Sequence, residues 1–505
     1  MKYISTRNNE IIVDSYEAIL KGLAPDGGLF VPVKINAFTD ISLLRKLSYQ
    51  DLAMEVMSKI FDDIGKDELR SCIDGAYDDK FDSLDITPVI KSGDYYFLEL
   101  YHGPTSAFKD VALTFLPRVL KIANDKKGDG KKVAIITATS GDTGKAALEG
   151  FRDVEGTLIK VLYPYKMVSK IQERQMSTTL GNNVEVLAVK GNFDDCQIMA
   201  KELLENFDGQ NIHLSSANSI NIGRLIPQIV YYFKAYFDLL NKKEISDDEK
   251  IDFVVPTGNF GDILAGYFAK KMGLPIGKLV CASNENNVLT NFMETGIYDA
   301  NRKLYNTMSP SIDILVSSNF ERLLYYASKD TNKVNKYMSG LKKDRLFKVD
   351  EEILEEIKKD FVGIYSTQDE AKATIKNHYD NYSYLIDTHT AVALACASKY
   401  NSENKKVVLS TASPFKFSKD VYFALNGKEI EDNLEAMDSL SSYTGLDVPC
   451  NLNKLKSLPI RFEEVIETSD MNILVKKLET EKWLNIKFLL VLLILASVLI
   501  VWALP

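Results

Sequence analysis

The chain is sparing with the side chains that most often carry protein chemistry. It has 4 histidines, 5 cysteines and 2 tryptophans among 505 residues. The cysteines (Cys72, Cys196, Cys281, Cys396 and Cys450) are scattered and odd in number, with no Cys-x-x-Cys pair and no Cys/His cluster. Such spacing supplies neither a disulfide framework nor a structural zinc site, and it fits a reducing cytosol. A basic surplus is also missing: 61 Lys and Arg stand against 70 Asp and Glu, a net charge of −9. Nucleic acid needs a basic surface, so it is not an expected partner. The first residues hold no apolar secretory core, no internal repeat recurs, and no Ser/His/Asp order or metal-ligand spacing stands out. No metal is expected.

Long apolar runs are absent until the last residues. Residues 488–504 are apolar except for Ser497, and Lys476, Lys477, Lys482 and Lys487 precede them. A spanning helix needs about 20 apolar residues, with roughly 17 as the lower limit. The run reads as a candidate transmembrane helix, a membrane contact that would leave the preceding body cytoplasmic, because the lysines lie on one side only. A buried C-terminal helix or an extraneous tail are the alternatives, although a buried helix usually keeps a polar face and this run has almost none.

What is present is an ordinary enzyme composition, 46% hydrophobic and 26% charged, with length enough for roughly two or three lobes. Residues 1–92 read as an N-terminal domain. It has amphipathic helices at 49–64 and 67–77 and a turn-rich stretch, 24–32, feeding a short strand. Residues 93–485 read as the main region. Strands are expected at 95–101, 132–137, 157–163, 184–189, 251–255, 278–282 and 405–410. Helices are expected between them, at 108–123, 143–151, 169–180, 193–206, 225–240 and 261–272. This alternation implies βαβ units around mostly parallel sheets, an α/β fold. Residues 320–384 look helical and charged, an insertion or a lid.

Parallel α/β proteins place ligands at the carboxyl ends of their strands, and several loops there are unusual. The string His102-Gly103-Pro104-Thr105-Ser106-Ala107-Phe108-Lys109-Asp110 puts Lys109 where a strand ends and a helix starts. The helix dipole and partial burial both disfavour its ammonium, and a lysine that sheds its proton easily can form a Schiff base. The plainer reading is a surface lysine in a helix first turn. Ala138-Thr139-Ser140-Gly141-Asp142-Thr143-Gly144 joins a strand to a helix and could approach an anion. It is not a P-loop, because only two residues separate Gly141 from Gly144 and Ala146 stands where Ser or Thr should. Pro256-Thr257-Gly258-Asn259-Phe260-Gly261-Asp262 suits a phosphate at a helix N-terminus, with a tight turn as the alternative. Thr411, after the last strand, either offers a hydroxyl to a ring nitrogen or is part of a turn. Ser215-Ser216-Ala217-Asn218-Ser219-Ile220-Asn221-Ile222-Gly223-Arg224 gathers hydroxyls, amides and a guanidinium able to hold a phosphate or carboxylate, or simply to start a helix. His102 and His389 are candidates to face the site, whereas His213 and His378 read as surface or packing residues.

Taken in this order, the strings resemble those of threonine synthases, in the branch with a longer N-terminal region, over most of residues 1–485. The resemblance implies a pyridoxal 5'-phosphate (PLP) enzyme of the tryptophan synthase β-like type. Such enzymes have two lobes of mostly parallel sheet flanked by helices, with the cofactor between them. It implies conversion of O-phospho-L-homoserine and water to L-threonine and phosphate, the last step of threonine biosynthesis. On the same resemblance Lys109 is the catalytic Schiff-base lysine. Gly258, Asn259, Phe260, Gly261 and Asp262 cradle the cofactor phosphate, Thr411 meets the pyridine nitrogen, and Asp142 lies near the ring oxygen. Ser140 and Thr143 sit by the substrate carboxylate, and Asn218, Ser219, Asn221, Arg224 and Lys170 are candidates for the substrate phosphate. Ser413 departs from the family, which often has His there; the run 488–504 lies outside the family pattern and bears on localisation. Threonine dehydratases and cysteine synthases, PLP lyases of the same fold, use substrates without a phosphate, so the 218–224 cluster discriminates against them. An inactive membrane-anchored binding protein would not need an intact Lys109 and phosphate loop.

Overall fold

Two sheets organise the chain in the computed structural model, which describes residues 1–139, 141–207 and 211–480. The larger has six strands in the order Phe361–Tyr365, Ile276–Ser283, Ile251–Pro256, Lys405–Ser410, Tyr95–Glu99 and Val89–Ser92. All neighbours are parallel except the last pair. The smaller has five parallel strands, Val465–Glu467, Val184–Lys190, Thr157–Pro164, Lys132–Ala138 and Ile212–Ser215. Parallel sheets are covered on both faces, which explains why these strands read as near-continuous apolar runs. In Thr157–Pro164 and Ile251–Pro256 every residue is buried.

One large core joins the N-terminal helices Tyr49–Ser58 and Lys66–Ala76 to inner faces of both sheets. The helix Thr388–Lys399 covers the opposite face of the large sheet, and Phe193–Asn206 that of the small one. Local signals set the helix starts. The Ser48 side chain accepts from Asp51 N, and Ser169 with Gln172 forms a capping box, as does Asn192 with Asp195.

The expected strands and helices fall close to their observed bounds, with instructive differences. The run 108–123 is two helices, Lys109–Leu113 and Leu116–Lys127, because Pro117 cannot donate and takes a first-turn position of the second. The run 225–240 is similarly interrupted by a 3₁₀ turn at Ile226–Gln228, which contains Pro227. Residues 320–384 are not a detached lid: Phe361–Tyr365 is the edge strand of the large sheet. The edge strand Val465–Glu467 had no periodic signal, being only three residues long. Ser140 and the run 488–504 lie outside the described residues. Among the described residues, no helix is long and apolar enough to cross a membrane.

Candidate active site

The carboxyl ends of strands from both sheets open onto one cavity of about 1220 Å³, lined among others by Ala138, Pro256 and Thr411. Lys109 reaches it from the first turn of its helix. The preceding loop is built for this placement. Ser106 takes a left-handed φ of 57°. Asp110 is buried and accepts from Thr105 N at 2.8 Å and from Thr105 Oγ1 at 2.6 Å. Gly103 is required because a Cβ there would fall 2.4 Å from Asp110 Cβ. Two backbone bonds fasten the loop to the end of the large sheet: Phe108 N–H donates to Thr411 O at 2.8 Å and Ser413 N–H to Ser106 O at 3.1 Å.

Burial lowers the Lys109 ammonium to about 8 against the pull of Asp142, while Arg224 and Lys416 act in the same direction as burial. Asp142 Oδ2 lies 3.8 Å from Lys109 Nζ, and Asp142 Oδ1 lies 2.7 Å from Lys416 Nζ. Burial opposes ionisation of Asp142, but Lys416 and Lys109 outweigh it and hold its carboxyl below the usual carboxylate range. Gln172 Nε2 donates a further bond to it at 3.0 Å. Lys416 is fully buried and also donates to Thr105 O at 3.0 Å. It therefore ties the Lys109 loop to the 139–144 loop. Sequence reading passed over Lys416; the signal available was a lone cation inside the apolar string Pro414-Phe415-Lys416-Phe417.

The loop from Thr257 to Asp262 has the form of an anion cradle. Phe260 adopts a left-handed φ of 61° and caps the helix Gly261–Lys271. Among the described residues the backbone N–H groups of Asn259, Phe260 and Gly261 find no acceptor. A Cβ on Gly261 would meet nothing nearer than 3.6 Å, whereas one on Gly258 would lie 2.3 Å from Ser311 O. Free donors at an eleven-residue helix start, with room above Gly261, fit the phosphate of a cofactor such as PLP. Ser317 and Asn319 hold the loop from behind: Ser317 Oγ donates to Gly258 O at 2.8 Å and Asn319 Nδ2 to Asn259 O at 2.9 Å. The Asp262 side chain turns to Tyr231 and Tyr232, whose hydroxyls donate at 2.5 and 2.9 Å. Burial pushes it up to about 6 even so.

Arg224 is buried at the cavity wall. Its Nη1 donates to Ala217 O at 3.1 Å, and its Nε has no partner among the described residues. Burial lowers it to about 10, still charged at neutral pH. Asn218, Ser219, Thr143, Thr411, Gly258, Asn259, Phe260, Gly261, Asp262 and His389 share that cavity. Asn221 is buried beside it, its amide engaged by Ile19 O, Ser216 O and Gly223 N. Lys170 stands on the surface with its side chain 71% exposed, 3.9 Å from Asp432. His102 lies outside the cavity lining, bridging Asp82 at 2.6 Å and Glu99 at 2.9 Å. His213 pairs with exposed Asp129 at 3.0 Å, and His378 is buried against Ser92 at 2.9 Å.

The chain matches three family profiles in succession: threonine synthase N terminus at residues 2–77, pyridoxal-phosphate dependent enzyme at 84–412, and threonine synthase C-terminal at 390–473. The threonine synthase of Saccharomyces cerevisiae is 39% identical over 516 aligned positions, spanning 95% of this chain and 98% of that one. Among solved structures, PLP-bound threonine synthase from Brucella melitensis superposes with a TM-score of 0.85 at 37% identity, over 95% of this chain and 99% of that one. The yeast threonine synthase structure gives the same TM-score and identity, over 95% of this chain and 98% of that one. With buried Lys109 and the 258–261 loop lining one cavity and all three segments matched in order, the chain belongs to the threonine synthase family of pyridoxal-phosphate-dependent enzymes.

Proposed function

We propose that this chain converts O-phospho-L-homoserine and water to L-threonine and phosphate, with PLP carried on Lys109. The observation that carries the substrate choice is Arg224. Among the described residues Arg224 has an orphan Nε and no carboxylate within ion-pair distance, and a buried cation so placed is costly unless an anionic ligand completes it. Substrates without a phosphate, as used by dehydratases or cysteine synthases of this fold, carry only the carboxylate assigned here to Thr143 and so bring no second anion to Arg224.

PLP bound here would supply an electron sink for negative charge developing on the substrate carbons. The chain's own groups do the rest. The amides of Asn259, Phe260 and Gly261 would hold the cofactor phosphate, and the Thr411 hydroxyl, in the same cavity, would meet the ring nitrogen. Asp142, kept ionised by Lys416, would face the ring oxygen, and Thr143 would meet the substrate carboxylate. Arg224, Asn218 and Ser219 hold the substrate phosphate as it leaves from Cγ, on a loop that Asn221 braces. Lys109, poised near 8, moves protons at the substrate's Cα and Cβ. We read residues 1–92 as the N-terminal domain and 93–485 as the catalytic region.

The purified chain should absorb in the near-visible through its cofactor and release phosphate from O-phosphohomoserine. Lys109→Ala should lose both the lysine adduct and turnover. If L-serine or L-threonine is turned over as fast as the phosphorylated substrate, the reading gives way to a dehydratase.

We also propose, from sequence pattern alone, that the run 488–504 contacts a membrane with the catalytic body on the cytoplasmic side. As a helix it would extend about 25 Å, slightly short of an average hydrocarbon core of about 30 Å, with Lys487 able to snorkel. Fractionation tests this: the full chain should need detergent for release, and a chain ending at Lys482 should not. Full-length protein in the salt-washed soluble fraction would end the idea.

A further inference from the structure

Ser311 meets three parts of the site at once. Its hydroxyl accepts from Lys109 Nζ at 3.3 Å, and its backbone N–H donates to His389 Nε2 at 3.2 Å. Its carbonyl presses on Gly258, leaving no room for a Cβ there. His389 is held in turn. Its Nδ1 lies 2.9 Å from Asp387 Oδ1, which also accepts the His389 backbone N–H at 2.8 Å. A carboxylate facing Nδ1 places the ring proton on that nitrogen and leaves the Nε2 lone pair for Ser311. Asp387 is 0% exposed and its other oxygen takes the Thr390 hydroxyl, so it cannot swing away. The imidazole is packed edge-on against Phe417, ring centroids 4.8 Å apart.

Burial acts most strongly on the charge of Lys109, and the groups that act beside it are Asp142, Arg224, Lys416 and Asp110. None of them orients its nitrogen closely; Asp142 is 3.8 Å away. A terminal amine rotates among staggered positions, and one hydrogen-bond acceptor is enough to select among them. We propose that Ser311 is a further catalytic residue, whose hydroxyl holds one N–H of Lys109 so that the nitrogen lone pair faces the substrate. His389 and Asp387 are its positioning residues, holding Ser311 by the backbone rather than by the hydroxyl. The proposal rests on Lys109 being the reacting lysine.

In the cofactor-loaded enzyme, Ser311→Ala should lower kcat by about 10- to 100-fold, the range for losing a hydrogen bond to an ionisable group, with KM changed by less than about threefold. A second readout needs no turnover. In cofactor-free protein, acylation of Lys109 followed by mass spectrometry against pH should show a lower midpoint in Ser311→Ala than in wild type, since the ammonium has lost an acceptor. Asp142, Asp110, Arg224 and Lys416 are unchanged in that comparison. His389→Gln keeps an acceptor near the ring's position and should retain most of the wild-type kcat, whereas His389→Leu should fall toward the Ser311→Ala value. Wild-type kcat with an unmoved midpoint in Ser311→Ala overturns the proposal, and equal losses in the Gln and Leu variants overturn the positioning role. Lys109→Ala separates the two levels. If that variant turns over, the reading of Lys109 has failed; if it is dead while Ser311→Ala is normal, only Ser311 has.

Discussion

Lys416 is fully buried, and among the described residues its partners are Asp142 and Thr105 O. Its ammonium is what keeps Asp142 ionised without handing that carboxylate over to Lys109. Lys416→Met should therefore leave Asp142 closer to Lys109 in electrostatic terms and raise the Lys109 midpoint above about 8, the opposite sign to Ser311→Ala. Breaking a buried pair from one side also costs about 3–5 kcal/mol, readable by urea unfolding. An unmoved Lys109 midpoint in this variant would detach Lys416 from the site. Residues of this sort mark where sequence reading stops. Lys109, Arg224 and the 257–262 loop were legible because each lies in a short string whose neighbours explain it. Ser311 and Lys416 act on partners 202 and 311 positions away, and no local pattern encodes a contact of that span.

Strands and helices were legible wherever burial on two faces wrote a near-continuous apolar run, as in Lys132–Ala138, or where a capping box opened a helix, as in Phe193–Asn206. Junctions were less so, because proline's missing N–H breaks a helix without breaking its apolar pattern. The junction after Tyr95–Glu99 is fastened by His102, which bridges Glu99 in the large sheet and Asp82 in the N-terminal connection. Burial alone would lower this imidazole, but Asp82 and Glu99 outweigh it and raise it to about 9. With a folded value above the ordinary value of 6.5, its contribution is complete below about 6.5 and is lost as pH rises through about 9. After screening at this partly exposed site, about 1–2 kcal/mol of unfolding free energy should disappear across that window. His102→Gln should flatten the decline in urea-unfolding free energy between those pH values, and an unchanged slope would show that the bridge contributes nothing.

The N-terminal region and the catalytic lobes are one mechanical body. Thr6 Oγ1 donates to Glu321 at 2.6 Å and Arg7 pairs with it at 2.7 Å. Arg322, fully buried, then donates to Phe30 O at 3.1 Å and Ile220 O at 2.6 Å, as well as to the Asn319 side chain. The start of the helix Phe320–Ser328 thus touches the small sheet of Tyr3–Ser5, Ile12–Val13 and Phe30–Pro32, the Arg224 loop and the support of the 257–262 loop. The smaller parallel sheet is completed in an equally distant way. Its strand Val184–Lys190 stays unpaired on one side until Val465–Glu467 arrives. On a ribosome adding about 5–20 residues per second, those roughly 275 intervening residues take about 15–55 s to make. For that interval the nascent chain carries an open, apolar sheet edge able to pair with another chain. The last described strand therefore also works as a late seal, and a polypeptide stopped before it would leave the lobe foldable but adhesive.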